Sequence, residues 1–252
     1  MFFNNSPLQQ FEIKNLINLS ILQSINLSIT NMAFYLVLAS FIVVTLYIIN
    51  DNYSKLVCNR SSASQESIYA TIHSIVVNQI NDNKGQAFFP FMFTLFIFIL
   101  SNNLVGMVPY SFASTSHFIL TFSLSFTIVI GATVLGFIMH MSKFFSLLVP
   151  SGCPLALLPL LVLIEFISYL ARNVSLGLRL AANILSGHML LNILSGFTYN
   201  IMNSGFLYFF VALLPLSFII AFSGLELGIA FIQAQVFVVL SCSYIRDGLN
   251  LH

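Results

Sequence analysis

The run Pro154–Leu194, PLALLPLLVLIEFISYLARNVSLGLRLAANILSGHMLLNIL, decides the fold. It carries no loop signal over about forty residues, and neither does a second run, Phe206–Arg246. Only Ser195–Gly205 between them reads as a turn. As helix, each run is about 60 Å long, twice the roughly 30 Å of a bilayer's hydrocarbon core. The choice is between four ordinary spans with invisible connections and two long helices. Connections between spans normally show turn chemistry, so the sequence predicts an antiparallel hairpin of two long, steeply tilted helices.

Working outward, the whole chain of 252 residues is 58% hydrophobic and 6% charged. Soluble domains carry roughly a quarter charged residues, so the surrounding solvent is largely lipid. The expected fold is an all-α membrane protein, with residues 1–252 forming a single membrane domain. Three roughly perpendicular spans are expected at 31–49, 87–108 and 118–139, ahead of the hairpin at 154–194 and 206–246. Residues 65–80 place Ile68, Ile72, Ile75, Val76 and Ile80 at helical spacing, with Ser62 and Gln65 as a capping box. That segment is too short to span and reads as an amphipathic helix on the membrane surface. Lys84-Gly85 should break the pattern before the second span, and Pro109-Tyr110-Ser111 should turn the chain after it. Lys143, Pro150 and Pro154 belong to the link before the hairpin.

Several function classes drop out. A net charge of +1 offers no footprint for nucleic acid. Cys58, Cys153 and Cys242 form no close pair, so neither a disulfide framework nor a metal site is expected. No phosphate-binding glycine motif is present, and no cofactor is expected. Met1–Ser20 lacks a basic start followed by an apolar core, so no removable targeting segment is expected. Lys55, Arg60 and Lys84, then Lys143, then Arg246 fall on one side of the expected topology. That side is the cytoplasm or matrix, with the N-terminus opposite.

The long helices contain Glu165, Arg172, Arg179, His188 and Glu226 well inside their ends. A charge at mid-helix in a membrane costs roughly 2.5–3.5 kcal/mol on insertion scales, so a cluster needs partners, water or a task. Glu165, Arg172 and Arg179 are spaced by seven, each only about 20° off its predecessor's face, and Asn183 joins the stripe one turn on. Glu226 and Gln233 repeat the spacing. Ser175, Gly177, Gly187, Gly224 and Gly228 allow close helix approach. If His188 faces Glu226, paired residue numbers total 414, and Arg179 falls opposite Gln235, beside Gln233. His188 and Glu226 then lie toward the turn, Arg179 near mid-membrane, and Glu165 toward the basic side.

Histidine and carboxylate accept and release protons, whereas arginine stays protonated and interrupts a relay. A titratable path on each side of a fixed cation suits a proton conductor that must not leak. An ion-coupled carrier using the same charges and a structural subunit whose charges merely pair are the competing readings. No repeat supports a carrier of inverted-repeat design. His73 is expected on the polar side of the surface helix, with His117 and His140 solvated at span ends. No mid-span histidine pair would ligate haem.

Ser175-Leu176-Gly177-Leu178-Arg179-Leu180-Ala181-Ala182-Asn183 and Ser186-Gly187-His188 resemble the signature of subunit a of the rotary F-type ATP synthase. Gly224-Leu225-Glu226-Leu227-Gly228 and Gln233-Ala234-Gln235-Val236-Phe237 are similar to its second signature. Asn103–Phe112 looks like the family's second-span motif, and Ser6–Ile13 is similar to plant and protist mitochondrial versions. Ala181-Ala182 departs from a commoner Phe-Ala or Phe-Gly.

The resemblance implies a non-enzymatic stator subunit of Fo in the mitochondrial inner membrane. Its N-terminus would face the intermembrane space and its C-terminus the matrix. Two offset half-channels would load and unload carboxylates of a c-ring, and peripheral-stalk and other Fo subunits would be further partners. By the same resemblance Arg179 would be the essential arginine, with Asn183 and Gln233 as its polar neighbours and Gln235 beside them. His188 and Glu226 would form the acid–imidazole pair of one channel, in the mitochondrial order, and Glu165 the acid of the other. Arg172 takes a basic position with no role assigned.

Overall fold

The computed structural model describes residues 7–22, 25–50, 59–80, 82–108, 111–141, 144, 149 and 157–249. Among them are six α-helices: α1 Asn31–Asn50, α2 Arg60–Ile80, α3 Asp82–Gly106, α4 Phe118–His140, α5 Leu158–Asn203 and α6 Phe206–Leu249. Five are long and apolar enough to cross a membrane, all but α2. In lipid a helix satisfies every backbone hydrogen bond within its own segment, so these charge-poor runs fold as helices. The N-terminal part adds an antiparallel hairpin that the all-α expectation omitted, β1 Asn15–Leu22 paired with β2 Ile25–Thr30.

The C-terminal pair comprises 46 and 44 residues. The connection is shorter than the expected Ser195–Gly205, because α5 runs on to Asn203. The reason is local. Ser195 and Thr198 turn their hydroxyls back onto the carbonyls of Asn192 and Leu194, at 2.8 and 2.7 Å. Polar side chains satisfied inside the helix do not end it. Pro159 stands in the first turn of α5, where no intrahelical donor is needed.

Two other boundaries also move. Helix α2 begins at Arg60, five residues before the expected start. The first turn is organised from Asn59: the Ser62 hydroxyl and the Ala63 N–H both donate to its carbonyl, each at 2.9 Å. Ser62 therefore lies within the first turn. Lys84-Gly85 does not break the pattern either, since α3 already starts at Asp82. A Cβ on Gly85 would meet Val76 Cγ1 at 3.5 Å, so this glycine lies where α2 passes close to α3. The expected turn residues Pro109 and Tyr110, and the link residues Lys143, Pro150 and Pro154, lie outside the described residues, as do Lys55 and the Lys84 side chain.

The chain divides into two compact units, and α1, α3, α5 and α6 contribute to both. The first comprises Met1–Leu46, Phe98–His117 and Leu180–Ala234. Its core gathers Phe11, Ala113, Ile184 and Ala230, flanked by Met107, Leu185 and Met189. Asn103 Nδ2 donates to the Ala230 carbonyl at 3.4 Å, and the Ser114 hydroxyl to Asn102 Oδ1 at 3.1 Å. The first bond fixes the end of α3 against α6, and the second holds the segment after α3 back onto that helix.

The second unit comprises Tyr47–Ile97, Phe118–Arg179 and Gln235–His252. Ile72, Val76 and Ile80 form the buried stripe of α2. The Ser125 hydroxyl donates to Asn173, joining α4 to α5. A Cβ on Gly248 would sit 2.8 Å from the Ala132 carbonyl oxygen, so only glycine lets the end of α6 approach α4 this closely.

Candidate functional site: two polar clusters on the long helices

In the first unit α5 presents His188 and α6 presents Glu226. His188 Nε2 lies 3.6 Å from Glu226 Oε1, and the two side chains are 8% and 5% exposed. Facing helices make this possible only because Gly187 has no side chain. A Cβ there would fall 2.8 Å from Glu226 Oε1 and 2.9 Å from its carboxyl carbon. Gly106 and the ring of Phe11 wall the imidazole, the latter edge-on with centroids 6.4 Å apart. Five residues before His188 and seven after Glu226, Asn183 Nδ2 donates to Gln233 Oε1 at 2.9 Å. A cavity of about 410 Å³ is lined by Asn183, Ser186, Gly187, Glu226 and Gln233.

The pair is beyond hydrogen-bond length. Among the described residues His188 Nε2, both Glu226 carboxylate oxygens and Gln233 Nε2 are buried without a protein hydrogen bond. A buried polar group left unsatisfied costs roughly 1–3 kcal/mol. Proton-carrying groups next to a cavity are where such a cost is compensated by function.

The second cluster lies in the second unit. Arg172 Nη1 stands 3.6 Å from Asp247 Oδ2, and Arg246 Nε 3.8 Å from Asp247 Oδ1. The Tyr244 hydroxyl donates to the Arg172 carbonyl at 3.4 Å. Arg172, Tyr244 and Asp247, with Glu165 and Tyr169, line a cavity of about 200 Å³. Glu165 is half-buried and Arg172 exposed.

Asp247, Tyr169 and Tyr244 are not among the site residues expected from sequence. The signal for Asp247 was available: it continues the series Glu226, Gln233 in steps of seven. A constant pairing total of 414 sets Cys242 opposite Arg172 and so misses it. The long guanidinium side chain reaches past its nearest neighbour.

Arg179 is exposed on α5, three residues before the exposed Ala182, and Gln235 is half-buried. Among the described residues neither Arg179 nor Gln235 makes a side-chain hydrogen bond or ion pair. Arg179 and Gln235 both belong to the second unit, while Asn183 and Gln233, in the first, are bonded to each other.

The remaining histidines differ from expectation in detail. His73 stacks on Tyr69 and meets Phe89 of α3 at 5.4 Å. It packs against aromatic side chains instead of pointing to the polar side, because an imidazole offers an apolar face as well as a polar edge. His117 is half-buried against Phe112, and burial holds its pKa below the ordinary histidine value. His140 Nε2 lies 3.0 Å from the Leu249 carbonyl oxygen at the end of α6.

Comparison with known proteins adds an independent finding. The profile described as "ATP synthase A chain" matches residues 32–246. "ATP synthase subunit a" of Cochliobolus heterostrophus is 75% identical over 98% of this chain and 97% of its own length. The proteins of the same description from Penicillium chrysogenum and Neurospora crassa are 71% and 68% identical. These cover 98% and 99% of this chain, and 97% and 98% of their own lengths. All three are fungal, so the likeness of Ser6–Ile13 to plant and protist versions does not single out those lineages.

Proposed function

Because this chain belongs to the ATP synthase A chain family, we propose that its two polar clusters are the inlet and outlet of a proton path interrupted at Arg179. The protein is a proton-translocating stator subunit of Fo, a multi-pass membrane protein that is not itself catalytic. Its family decides against the ion-coupled carrier and against a merely structural subunit. The observation that carries the proposal is the order along α5: the Glu165 cavity, the exposed Arg179, then the buried His188–Glu226 pair.

Mechanistically, Glu226 and His188 each take up and release a proton and pass it toward Asn183 and Gln233, which line the same cavity. A gap of 3.6 Å closes by a small side-chain adjustment or is bridged by one water. A rotor subunit's carboxylate receives the proton there and crosses the lipid neutral, since a charged one costs several kcal/mol. On its return past the second cluster it releases the proton toward Glu165 and is met, as an anion, by Arg179. The guanidinium never deprotonates, so protons cannot pass directly between the clusters.

The expected partners are a c-ring against the face bearing Arg179, together with peripheral-stalk and other Fo subunits. The membrane is the mitochondrial inner one, with the N-terminus toward the intermembrane space and the C-terminus toward the matrix. At about 1.5 Å per residue, α5 and α6 exceed the hydrocarbon thickness twofold and lie steeply tilted. Helices α1, α3 and α4 cross nearly perpendicular, and α2 rests on the surface with its Ile72–Val76–Ile80 stripe inward.

The partner assignment is tested by cross-linking in the assembled complex. A cysteine replacing Ala182 should form a disulfide with a cysteine on the outer helix of the rotor subunit. Absence of a cross-link at every rotor position tried would remove this face from the rotor interface.

A second expectation concerns Gly187. In Gly187→Ala the added Cβ displaces the Glu226 carboxylate from His188. Proton flux through Fo should fall by about tenfold, corresponding to about 1.4 kcal/mol of misplacement, with assembly retained. Unchanged flux would mean that the close placement of these two side chains does not matter to conduction.

A further inference from the structure

The β1–β2 hairpin takes no part in the proton path, yet it is built with a strongly two-sided pattern. Its register pairs Ile17 with Ile29 and Leu19 with Leu27, then Asn18 with Ser28 and Ser20 with Asn26. Successive residues of a strand alternate between faces. The four aliphatic residues therefore hold the register positions of one face and the four polar ones those of the other. Not one Asp, Glu, Lys or Arg occurs between residues 15 and 50. Ile17 and Ile29 are 51% and 43% exposed.

The hairpin is also tied rigidly to the start of a membrane span. Thr30 ends β2 and Asn31 begins α1, with no linker between them. Asn31 Oδ1 accepts from the N–H groups of Lys14 and Met32 at 3.2 and 2.9 Å, and its Nδ2 donates to the Glu12 carbonyl at 3.0 Å. The Asn31 N–H donates to the Lys14 carbonyl at 3.0 Å. Helix α1 is apolar and long enough to cross a membrane, with Val37 and Phe41 each 67% exposed. The hairpin base is therefore held at the level where this helix enters the bilayer.

We propose that β1–β2 is an interfacial membrane anchor, lying along the bilayer surface with the Ile17–Ile29 face in the boundary between headgroups and acyl chains. Two physical limits select this position. An isolated two-stranded hairpin is marginal in water and needs an apolar surface to pack on. The unpaired edges of a two-stranded sheet cannot enter the hydrocarbon core, where backbone groups find no partner. Between those limits lies the interface, which accommodates an apolar face below and a polar face above. Absence of charge lets the anchor work on lipid of any headgroup.

The chain contains no tryptophan, so a single introduced tryptophan reports its own surroundings in the full chain reconstituted into nanodiscs. The discs contain phosphatidylcholine brominated at either shallow or deep acyl carbons. Phe41→Trp, midway along α1, should be quenched more by deep bromines and thereby confirms insertion. Ile29→Trp should be quenched at least about twofold more by shallow than by deep bromines, and Ser28→Trp hardly at all. Ile17→Trp repeats the measurement on the other strand. Equal quenching at residues 28 and 29, stronger quenching of residue 29 by deep bromines, or no quenching there would overturn the proposal. In the assembled complex, a benzophenone-bearing residue in place of Ile29 should cross-link to lipid. Cross-linking to another subunit would also overturn it.

Discussion

Arg179→Ala should abolish proton-coupled ATP synthesis while leaving the complex assembled. The side chain is exposed on α5 and makes no ion pair or hydrogen bond among the described residues, so its removal leaves no buried partner unpaired. What is lost is a permanent cation facing the rotor. At 4 Å a unit charge pair is worth about 4 kcal/mol at an effective dielectric constant of 20, and about 1.4 kcal/mol is tenfold in an equilibrium. Losing the guanidinium therefore weakens retention of the rotor's ionised carboxylate by a factor on the order of a thousand. Arg179→Lys should recover little, because a lysine in the same apolar setting can release its proton and then neither pairs nor blocks. The measurement is ATP synthesis driven by an imposed proton gradient in reconstituted complex, with assembly checked in parallel. Normal coupled synthesis in Arg179→Ala would refute the assignment.

His188→Ala and Glu226→Ala should each slow proton flux by about a hundredfold or more, the scale on which positioned proton-transfer groups usually act. Each should also change how flux depends on pH. Both side chains are nearly fully buried and 3.6 Å apart, so removing one leaves the other in an apolar wall beside the cavity. The two changes should not multiply, because a broken relay is not broken twice. The exchange variant His188→Glu with Glu226→His restores one acid and one imidazole in the same space. It should recover much of the flux lost by either single variant, provided Gly187 is kept. Single variants whose flux is normal at every pH would remove the pair from the path.

The site residues and the elements were legible in sequence to different depths. His188 facing Glu226 could be inferred because two rare ionisable residues in apolar helices must find each other, and helix periodicity restricts where. Asn183 with Gln233 followed the same stripe. A constant helix register does not reveal Asp247, because it ignores the reach of the Arg172 guanidinium. The expected turn is too long because Ser195 and Thr198 look like loop residues, whereas their hydroxyls bond within α5. The start of α2 moved because Asn59, not Ser62, accepts the first bonds. Each miss involves a hydrogen bond or a side-chain length that residue type alone does not specify.

What composition and spacing determined by themselves is the solvent, the long helices and the stripe of charges on them. Burying charge in lipid is so costly that any sequence accepting it reveals where its polar path must run. Only the tertiary structure decided which carboxylate Arg172 meets, why residue 187 carries no side chain, and that a two-faced hairpin precedes the first span. Those features depend on how closely two backbones approach and on which strand pairs with which. They are distances between parts of the chain, and apolar periodicity carries no record of distance.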